Sequence, residues 1–148
     1  MRVVVQVSKN ASCEVDGKIT GHINYGFMLL VGFTNGDTIE TVKKLAHKVQ
    51  GLRVFPDSEG KMNLSLDKVG GEILSISQFT LYADASHGFR PGFVDAMRGE
   101  EAINLYNEFN NCLRQYNLNV YEGVFGADMH ISFTNMGPTT IILDSKDM

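Results

Sequence analysis

A glycine–proline pair, Gly137-Pro138, interrupts a region that otherwise has the composition of β-strands. Strand-forming residues precede it at positions 129–134 and follow it at positions 140–143. Proline has no amide hydrogen to donate to a sheet and glycine has no side chain to pack, so a regular strand cannot run through this point. The sequence predicts a rigid corner here, and a hairpin turn explains that corner as well as a functional loop does.

Two other segments have the apolar spacing of amphipathic helices. The first, at residues 37–50, has Asp37 or Thr38 placed to cap it and Gly51 to end it, and the second covers residues 100–116. Short strands are predicted around them. These strands cover residues 2–7, 12–15, 19–23, 27–33, 52–55, 72–81 and 120–121, with a hairpin signal at Asp16-Gly17-Lys18.

The order of these elements indicates the fold class. Many short strands, two helices and no regular alternation of strand and helix predict an α+β domain. Its mixed sheet is expected to curl or close like a β-barrel, with both helices on the outside. The 148 residues contain neither a repeat nor a long polar linker, so we predict one domain spanning residues 1–148.

Composition argues against several classes of protein. The longest apolar run, residues 27–31, is too short to cross a bilayer, and the start of the chain is typical of a strand rather than of a signal peptide. We therefore predict a soluble, cytoplasmic protein without a membrane partner. The formal net charge of −4 argues against broad electrostatic binding to nucleic acid, so we expect no DNA partner, although contact with the end of an RNA stays open. Cys13 and Cys112 are predicted to be reduced and buried.

The usual catalytic residues are almost absent. The four histidines have no metal-ligand spacing, and the chain contains no nucleophile elbow, P-loop or dinucleotide-binding fingerprint, so we expect neither a metal nor a cofactor. Polar residues do interrupt the apolar run at residues 75–82, and a loop rich in glycine and proline follows at residues 88–93. Ser77 or Thr80 as a nucleophile would need a neighbouring base, and none is evident. The simpler interpretation is that both hydroxyls satisfy backbone groups nearby.

Two separated motifs carry a resemblance to a known family. Ser77-Gln78-Phe79-Thr80-Leu81 and Asn135-Met136-Gly137-Pro138-Thr139-Thr140 are similar to the two signature motifs of the D-aminoacyl-tRNA deacylases, also called D-tyrosyl-tRNA deacylases. Three shorter stretches agree in type and order: Gly60-Lys61-Met62-Asn63, Gly88-Phe89-Arg90-Pro91 and Phe125-Gly126-Ala127-Asp128-Met129. The similarity covers nearly the whole chain, from Met1 to about Leu143.

The resemblance implies a homodimeric, barrel-like hydrolase that proofreads aminoacyl-tRNA. Its expected substrate is the ester between the 3′ end of tRNA and a D-amino acid, or glycine mischarged on alanine tRNA. In the family the Gly-Pro bond is cis and enters the active site of the partner subunit, which assigns chiral selectivity to Gly137 and Pro138. Backbone carbonyls at that point would exclude an L side chain by a steric clash.

The resemblance also implies roles for other residues. The backbone at Phe79 and Thr80 is expected to contact the oxyanion, with the Thr80 hydroxyl as a nucleophile in second place. The expected substrate-binding residues are Ser77, Gln78, Phe125, Gly126, Ala127 and Met129, and for the last four of these core packing is an equal alternative. Contact with tRNA phosphates is expected from Lys61, Arg90 and Arg53, for which a solvated surface position is the alternative.

One departure from the family concerns the first strand. Family members commonly have an Arg after the glutamine of this strand, and that Arg is expected to help hold the Gly-Pro loop. Here Gln6 is followed directly by Val7-Ser8-Lys9.

Two other functions stay open beside the proofreading esterase. One is a noncatalytic RNA-binding relative of the same fold. The other is a small-molecule enzyme or dimeric scaffold on a similar barrel, which only the lack of a basic patch favours.

Overall fold

Two long strands, β1 (Arg2–Val15) and β2 (Lys18–Gly32), form the centre of the structure, a computed structural model that describes residues 1–148. The other elements follow in chain order: α1 (Ile39–Gly51), β3 (Phe55–Pro56), β4 (Met62–Leu64), β5 (Glu72–Ser77), α2 (Gly99–Gln115), β6 (Val120–Glu122) and β7 (His130–Asp144). Short 3₁₀ turns cover Leu66–Val69, Phe79–Tyr82 and Ser145–Asp147. Neither helix is long and apolar enough to cross a bilayer.

The main sheet has five strands in the order β6-β5-β2-β1-β7. β1 is antiparallel to both of its neighbours, whereas β5 runs parallel to β2 and to β6. β3 and β4 form a separate small hairpin. The predicted α+β class with a mixed sheet is confirmed. The sheet is open, however, because β6 and β7 are its two edges, so closure into a barrel does not occur within the chain.

The first half of the sheet differs from the predicted series of four short strands, because each successive pair of them is one continuous strand. The polar segment Ser8-Lys9-Asn10 breaks the apolar alternation, yet Ser8 still pairs with Gly26 and Lys9 with Tyr25. Strand continuity depends on backbone hydrogen bonds, which a polar side chain does not interrupt. The predicted hairpin at Asp16-Gly17 joins the two long strands.

Both helices begin and end within two residues of their predicted bounds. Thr38 is the N-cap residue of α1, as predicted, and its amide donates to the Thr41 hydroxyl over 3.1 Å. Gly51 is the last residue of that helix. In α2, the Ile103 side chain is exposed, whereas its neighbour Ala102 is buried.

The sheet buries different side chains on its two faces. Alternate strand residues such as Val5 and Leu29 pack in the main core with residues from both helices, so α1 and α2 cover the same face. Met28, on the opposite face, belongs to a smaller apolar cluster. Cys112 is buried in the main core and Cys13 in the smaller cluster, and both are free, as predicted.

Candidate active site

A pocket of about 540 Å³ opens where the parallel strands β2 and β5 end. The N-terminal turn of α2 and the segment between β6 and β7 form its other walls. Thirteen of its nineteen lining residues are hydrophobic; the full set is Leu30, Val31, Gly32, Phe33, Ile76, Ser77, Gln78, Phe79, Phe93, Ala96, Met97, Gly99, Ala102, Phe125, Gly126, Ala127, Asp128, Met129 and Ile131. A concave, largely apolar site of this volume fits a small organic group.

The first signature motif forms a tight turn beside this pocket rather than a strand. The prediction of one long strand over residues 72–81 is wrong in its second half, because β5 ends at Ser77 and Phe79–Tyr82 form a 3₁₀ turn. The side-chain Oε1 of Gln78 accepts a long hydrogen bond of 3.4 Å from the Thr80 amide at the start of the turn. The motif therefore turns at Phe79, which lines the pocket, instead of continuing along the sheet.

Close approach of β2 makes this turn possible. The Gln78 amide donates to the Val31 carbonyl over 2.7 Å, which brings the turn against the end of β2. A Cβ atom at Gly32 would lie 2.8 Å from the Gln78 carbonyl oxygen and 3.0 Å from the Leu81 Cβ. Any larger residue at Gly32 would push the turn away from the sheet.

Arg2 holds the far end of the same turn. Its Nη1 donates to the Leu81 carbonyl oxygen over 2.7 Å, and its Nε donates to Asp144 over the same distance. The guanidinium also lies 4.5 Å from the centroid of the Tyr82 ring, within range of a cation–π interaction. The first residues of β1 and the last residue of β7 thus fix the turn that borders the pocket.

The opposite wall is positioned by α2 and β5. The Phe125 ring packs against the Tyr106 ring at a centroid distance of 5.7 Å. The Tyr106 hydroxyl donates to the Ser75 carbonyl oxygen over 2.7 Å, and the Gly123 amide donates to the same oxygen over 3.3 Å. Burial raises the pKa of Tyr106 to about 12, so the phenol stays a neutral donor at physiological pH. Phe125 therefore serves the pocket wall and the edge of the core together.

Asp128 is the one ionisable residue that lines the pocket. Its side chain is 95% exposed, and its carboxylate lies 3.4 Å from Nε2 of His130, which is itself exposed. No charged group is therefore buried in the pocket as a general acid or base. Apart from Asp128, the lining offers backbone groups and neutral side chains.

The structure brings together most of the residues that the sequence singled out. The pocket is lined by Ser77, Gln78, Phe79, Phe125, Gly126, Ala127 and Met129. Thr80 follows Phe79 on the exposed side of the turn and is not a lining residue. Gly137 and Pro138 are also exposed and do not line the pocket of their own chain.

Sequence reasoning missed Phe93. This residue lines the pocket and packs edge to face against Phe79 at a centroid distance of 5.1 Å. Its only sequence signal was a position at the end of the loop rich in glycine and proline. The small residues Ala96, Gly99 and Ala102 were also missed, since nothing in the sequence shows that the start of α2 meets the end of β2.

The Gly-Pro segment is a loop within β7, and the alternative of a hairpin turn is wrong. Asn135 pairs with Ser8 of β1 and Thr140 pairs with Gln6, so the chain continues in one direction on both sides. The intervening residues 136–139 leave the ladder. The bond between Gly137 and Pro138 is cis, as the resemblance implied.

A polar network within the chain holds this loop. Asn135 Nδ2 donates to the carbonyl oxygens of Val7 (3.0 Å) and Thr139 (3.1 Å), and Asn135 Oδ1 accepts from Gln6 Nε2 (3.1 Å). The Thr140 hydroxyl lies 3.2 Å from the Pro138 carbonyl oxygen and 3.3 Å from Asn135 Oδ1, and it donates to one of them at a time. Val7 follows Gln6 where the resemblance led us to expect an Arg. These contacts therefore hold the loop without that Arg.

Two further features restrict the loop. The Met136 side chain is partly buried against the main core, so the first residue of the loop is anchored. Gly137 has a φ of +113°, and a Cβ atom there would lie 2.5 Å from Thr139 Oγ1 and 2.6 Å from the Thr139 amide nitrogen. Only glycine fits this conformation without a shift of the loop.

The basic residues expected to contact phosphates are in different situations. Arg53 Nε donates to the Asn63 carbonyl oxygen over 3.0 Å, so its guanidinium is engaged within the chain. Lys61 and Glu59 form a weak surface pair at 3.9 Å. Arg90 is exposed and takes part in none of the ion pairs or side-chain hydrogen bonds of the structure.

The substitution Asp144→Asn should weaken the fold and flatten its response to acid. Burial opposes ionisation of Asp144, but hydrogen bonds from Arg2 and the Lys146 amide outweigh it, so its pKa lies below the usual value. Such a carboxylate stabilises the fold above its unfolded pKa of about 3.9, and this contribution is lost as pH falls through the folded pKa. At pH 7 we expect a loss of about 1.5–3 kcal/mol in the free energy of unfolding by urea.

The control for this experiment replaces a carboxylate that has no partner. Glu14→Gln removes an exposed, unpaired carboxylate and should leave stability within about 0.5 kcal/mol of the wild type. If the wild type and Asp144→Asn lose stability equally between about pH 5 and pH 2, the ion pair with Arg2 does not hold the end of the turn.

Comparisons of sequence find relatives that are similar to this chain over nearly its whole length. A protein named D-aminoacyl-tRNA deacylase from Listeria innocua is 53% identical over 148 residues, which cover 100% of this chain and 99% of that protein. A protein of the same name from Anoxybacillus flavithermus is 52% identical over 146 residues, which cover 99% of this chain and 100% of that protein.

Two solved structures superpose on this chain over nearly its whole length. The structure of the c-Myc DNA unwinding element binding protein superposes with a TM-score of 0.90 at 37% identity, covering 97% of this chain and 98% of that one. A probable eukaryotic D-amino acid tRNA deacylase superposes with a TM-score of 0.82 at 18% identity, covering 96% and 97%, and shows a common fold. A family model described as D-Tyr-tRNA(Tyr) deacylase matches residues 4–144, and the chain belongs to this family.

Proposed function

We propose that this protein hydrolyses the ester bond of D-aminoacyl-tRNA in the cytoplasm and releases the free D-amino acid and tRNA. The observation that carries the proposal is the pocket itself, which combines the turn of the first signature motif with an apolar cavity free of buried charge. An aminoacyl ester is already activated, so its hydrolysis needs an oriented carbonyl and a stabilised oxyanion more than a strong base. Proteins with this activity in their name are about half identical to the chain.

The reaction proceeds by addition of water to the ester carbonyl. The tetrahedral oxyanion that forms is stabilised by the backbone amides of Phe79 and Thr80. In the free protein the Thr80 amide makes only a 3.4 Å hydrogen bond to Gln78, which is readily exchanged for a shorter bond to an oxyanion. The attacking water gives up a proton as the oxyanion forms, and the neighbouring ribose 2′-hydroxyl relays it. The carbon–oxygen bond to the ribose then breaks, and the leaving ribose oxygen takes up that relayed proton.

The lining residues divide between the two parts of the substrate. Ser77 and Gln78 shape the end of the pocket that receives the amino group and the terminal adenosine. Phe125, Gly126, Ala127 and Met129 form the wall beside the amino acid. Because this wall is apolar and uncharged, it accepts side chains of different chemistry and reads little of their identity.

Selection of the D configuration is assigned to Gly137 and Pro138 of a second subunit in a homodimer. Both residues are exposed and do not line the pocket of their own chain, so they are free to enter a neighbouring one. Their carbonyl oxygens then stand against the substrate Cα and leave no room for an L side chain. Rejection of an L-aminoacyl-tRNA by a thousandfold needs about 4 kcal/mol, which a steric clash with a rigid loop can supply.

Glycine passes the same filter. A clash at the Cα detects a side chain on the wrong side, and glycine has none on either side. The protein therefore also hydrolyses glycyl-tRNA, including glycine mischarged on alanine tRNA.

Binding of nucleic acid without catalysis is the second candidate function. The observation in its favour is the 37% identical structure, whose name describes binding to a DNA unwinding element. The intact turn at residues 77–82 and the formal net charge of −4 favour the esterase over this alternative.

The direct test compares tyrosine release from D-tyrosyl-tRNA and L-tyrosyl-tRNA by the purified protein. We expect the D ester to be hydrolysed with a kcat/KM about a thousandfold higher than the L ester, as the clash described above requires. If D-tyrosine is released no faster than in buffer alone, the proposed esterase activity is wrong. If both enantiomers are released equally fast, the proposed selection of the D configuration is wrong but the esterase activity stands.

Thr80→Ala tests whether the backbone or the hydroxyl acts on the substrate. The backbone amide survives this substitution, so kcat should stay within about threefold of the wild type, or within about 0.7 kcal/mol. Thr80→Ser is the matched control because it retains a hydroxyl. If the wild type and Thr80→Ser are active and Thr80→Ala is inactive, the Thr80 hydroxyl is the nucleophile.

Thr140→Val tests the loop that selects configuration. It removes the hydroxyl that lies 3.2 Å from the Pro138 carbonyl oxygen and keeps the side-chain shape. We expect the ratio of D to L kcat/KM to fall about five- to tenfold, with D hydrolysis nearly unchanged, because one hydrogen bond worth about 1 kcal/mol orients the carbonyl. Thr134→Val, on the same strand but without a side-chain hydrogen bond, should leave the ratio unaltered. An unchanged ratio in Thr140→Val contradicts the assignment.

A further inference from the structure

The loop between Asp84 and Gly92 presents an aromatic side chain that the fold does not use. Phe89 at its tip is fully exposed, so it contacts no other part of the chain appreciably. All of residues 83–95 are exposed. One exposed Phe is ordinary, but Phe79, Phe93 and Val94 are exposed large apolar residues of the same region. Two of these residues, Phe79 and Phe93, line the pocket and pack against each other.

Hydrogen bonds give this loop a defined shape. The backbones of Asp84 and Gly92 exchange two hydrogen bonds of 2.8 Å, which close the loop at its base. The Asp84 carboxylate accepts from the Ser86 amide over 2.9 Å, and hydrogen bonding from Ser86 lowers the pKa of Asp84. The Ser86 hydroxyl lies 2.8 Å from Nδ1 of His87. Phe89 is therefore held away from the protein by an ordered loop.

Both ends of the loop are attached to the pocket. It begins two residues after Tyr82, the last residue of the 3₁₀ turn, and ends next to Phe93, which lines the pocket. Phe93 packs against Phe79, whose backbone belongs to the proposed oxyanion contact. Phe89 is four residues from Phe93, a chain length that spans at most about 14 Å. The tip of the loop is thus joined by a short segment to a residue that lines the pocket.

The chemistry of the tip fits single-stranded RNA. Arg90, beside Phe89, has no acidic partner in the chain. An exposed aromatic ring next to an unpaired guanidinium offers a stacking surface for a base and a contact for a phosphate. Because the protein is acidic overall, broad contact with phosphates does not supply the affinity for RNA, and stacking of a base on Phe89 becomes the more important interaction.

We propose that the Asp84–Gly92 loop docks the single-stranded 3′ end of tRNA, with Phe89 stacked on a base that precedes the aminoacylated nucleotide and Arg90 on a neighbouring phosphate. This inference rests on the proposed function, because the terminal aminoacyl nucleotide must occupy the pocket for the preceding base to reach the loop. Stacking of this kind tolerates any base, so the contact serves all tRNAs alike.

The test compares two D-tyrosyl esters, one on full-length tRNA and one on adenosine alone. Phe89→Ala should raise KM for the tRNA ester by about 5- to 100-fold, as expected for loss of one base–aromatic stack. The adenosine ester lacks the preceding base, so its kcat/KM should stay within about twofold of the wild type. Phe89→Trp should restore the tRNA value.

Two further variants sharpen the result. Arg90→Gln should reduce the slope of log KM against log salt for the tRNA ester by about 0.7, the value for one phosphate contact on a single strand. Ile19→Ala is the matched control, because Ile19 is exposed but lies at the opposite end of β2 from the pocket. It should change neither substrate's kinetics.

Three outcomes overturn the proposal. Unchanged KM of Phe89→Ala for the tRNA ester shows that the ring is not used, and equal losses on both esters show that it acts on the pocket. A smaller particle mass for Phe89→Ala by light scattering shows that the loop belongs to a subunit interface. If the wild type hydrolyses neither ester, the proposed function fails; if it hydrolyses both and Phe89→Ala is normal, only the docking loop fails.

Discussion

The parallel pairing of β2 with β5 is the constraint on which the rest of the site depends. It brings the last residues of both strands to one place, and the chain leaves β5 there in a sharp 3₁₀ turn. Gly32 makes that turn possible by admitting the Gln78 carbonyl oxygen to a distance that a side chain would forbid. The pocket, the orientation of Phe79 and the clamp by Arg2 all follow from this approach. The fold thus forms this corner of the pocket largely from backbone geometry, which suits the proposed mechanism with few catalytic side chains.

Sequence patterns predicted the helices better than the strands. Apolar spacing and the Thr38 cap located α1 within two residues, because both signals come from the helix itself. The prediction divided each long strand in two at its polar residues. Apolar periodicity indicates which side chains are buried, whereas the length of a strand is set by its backbone hydrogen bonds to a neighbouring strand. The same limitation hid the end of β5 at Ser77: Gly32 and Arg2, which decide that end, lie far away in sequence.

The candidate site shows a similar division. The first signature motif and the shorter stretch at residues 125–129 identified the turn and the facing wall, which the structure brings to one pocket. Phe93 and the small residues at the start of α2 carried no recognisable pattern, because only the packing of α2 against the sheet brings them there. The network around Asn135 was equally hidden. Gln6 is distant from Asn135 in sequence, and only the pairing of β1 with β7 makes them neighbours.

The network that supports the Gly-Pro loop lies entirely within one chain. The side chains of Asn135 and Thr140 donate to its carbonyl oxygens, Gln6 donates to the Asn135 side chain, and Met136 anchors the loop to the core. A loop that is already ordered loses little conformational entropy when it meets another molecule. In the proposed homodimer, assembly would therefore not have to shape this loop, because its conformation is already held by contacts within one chain.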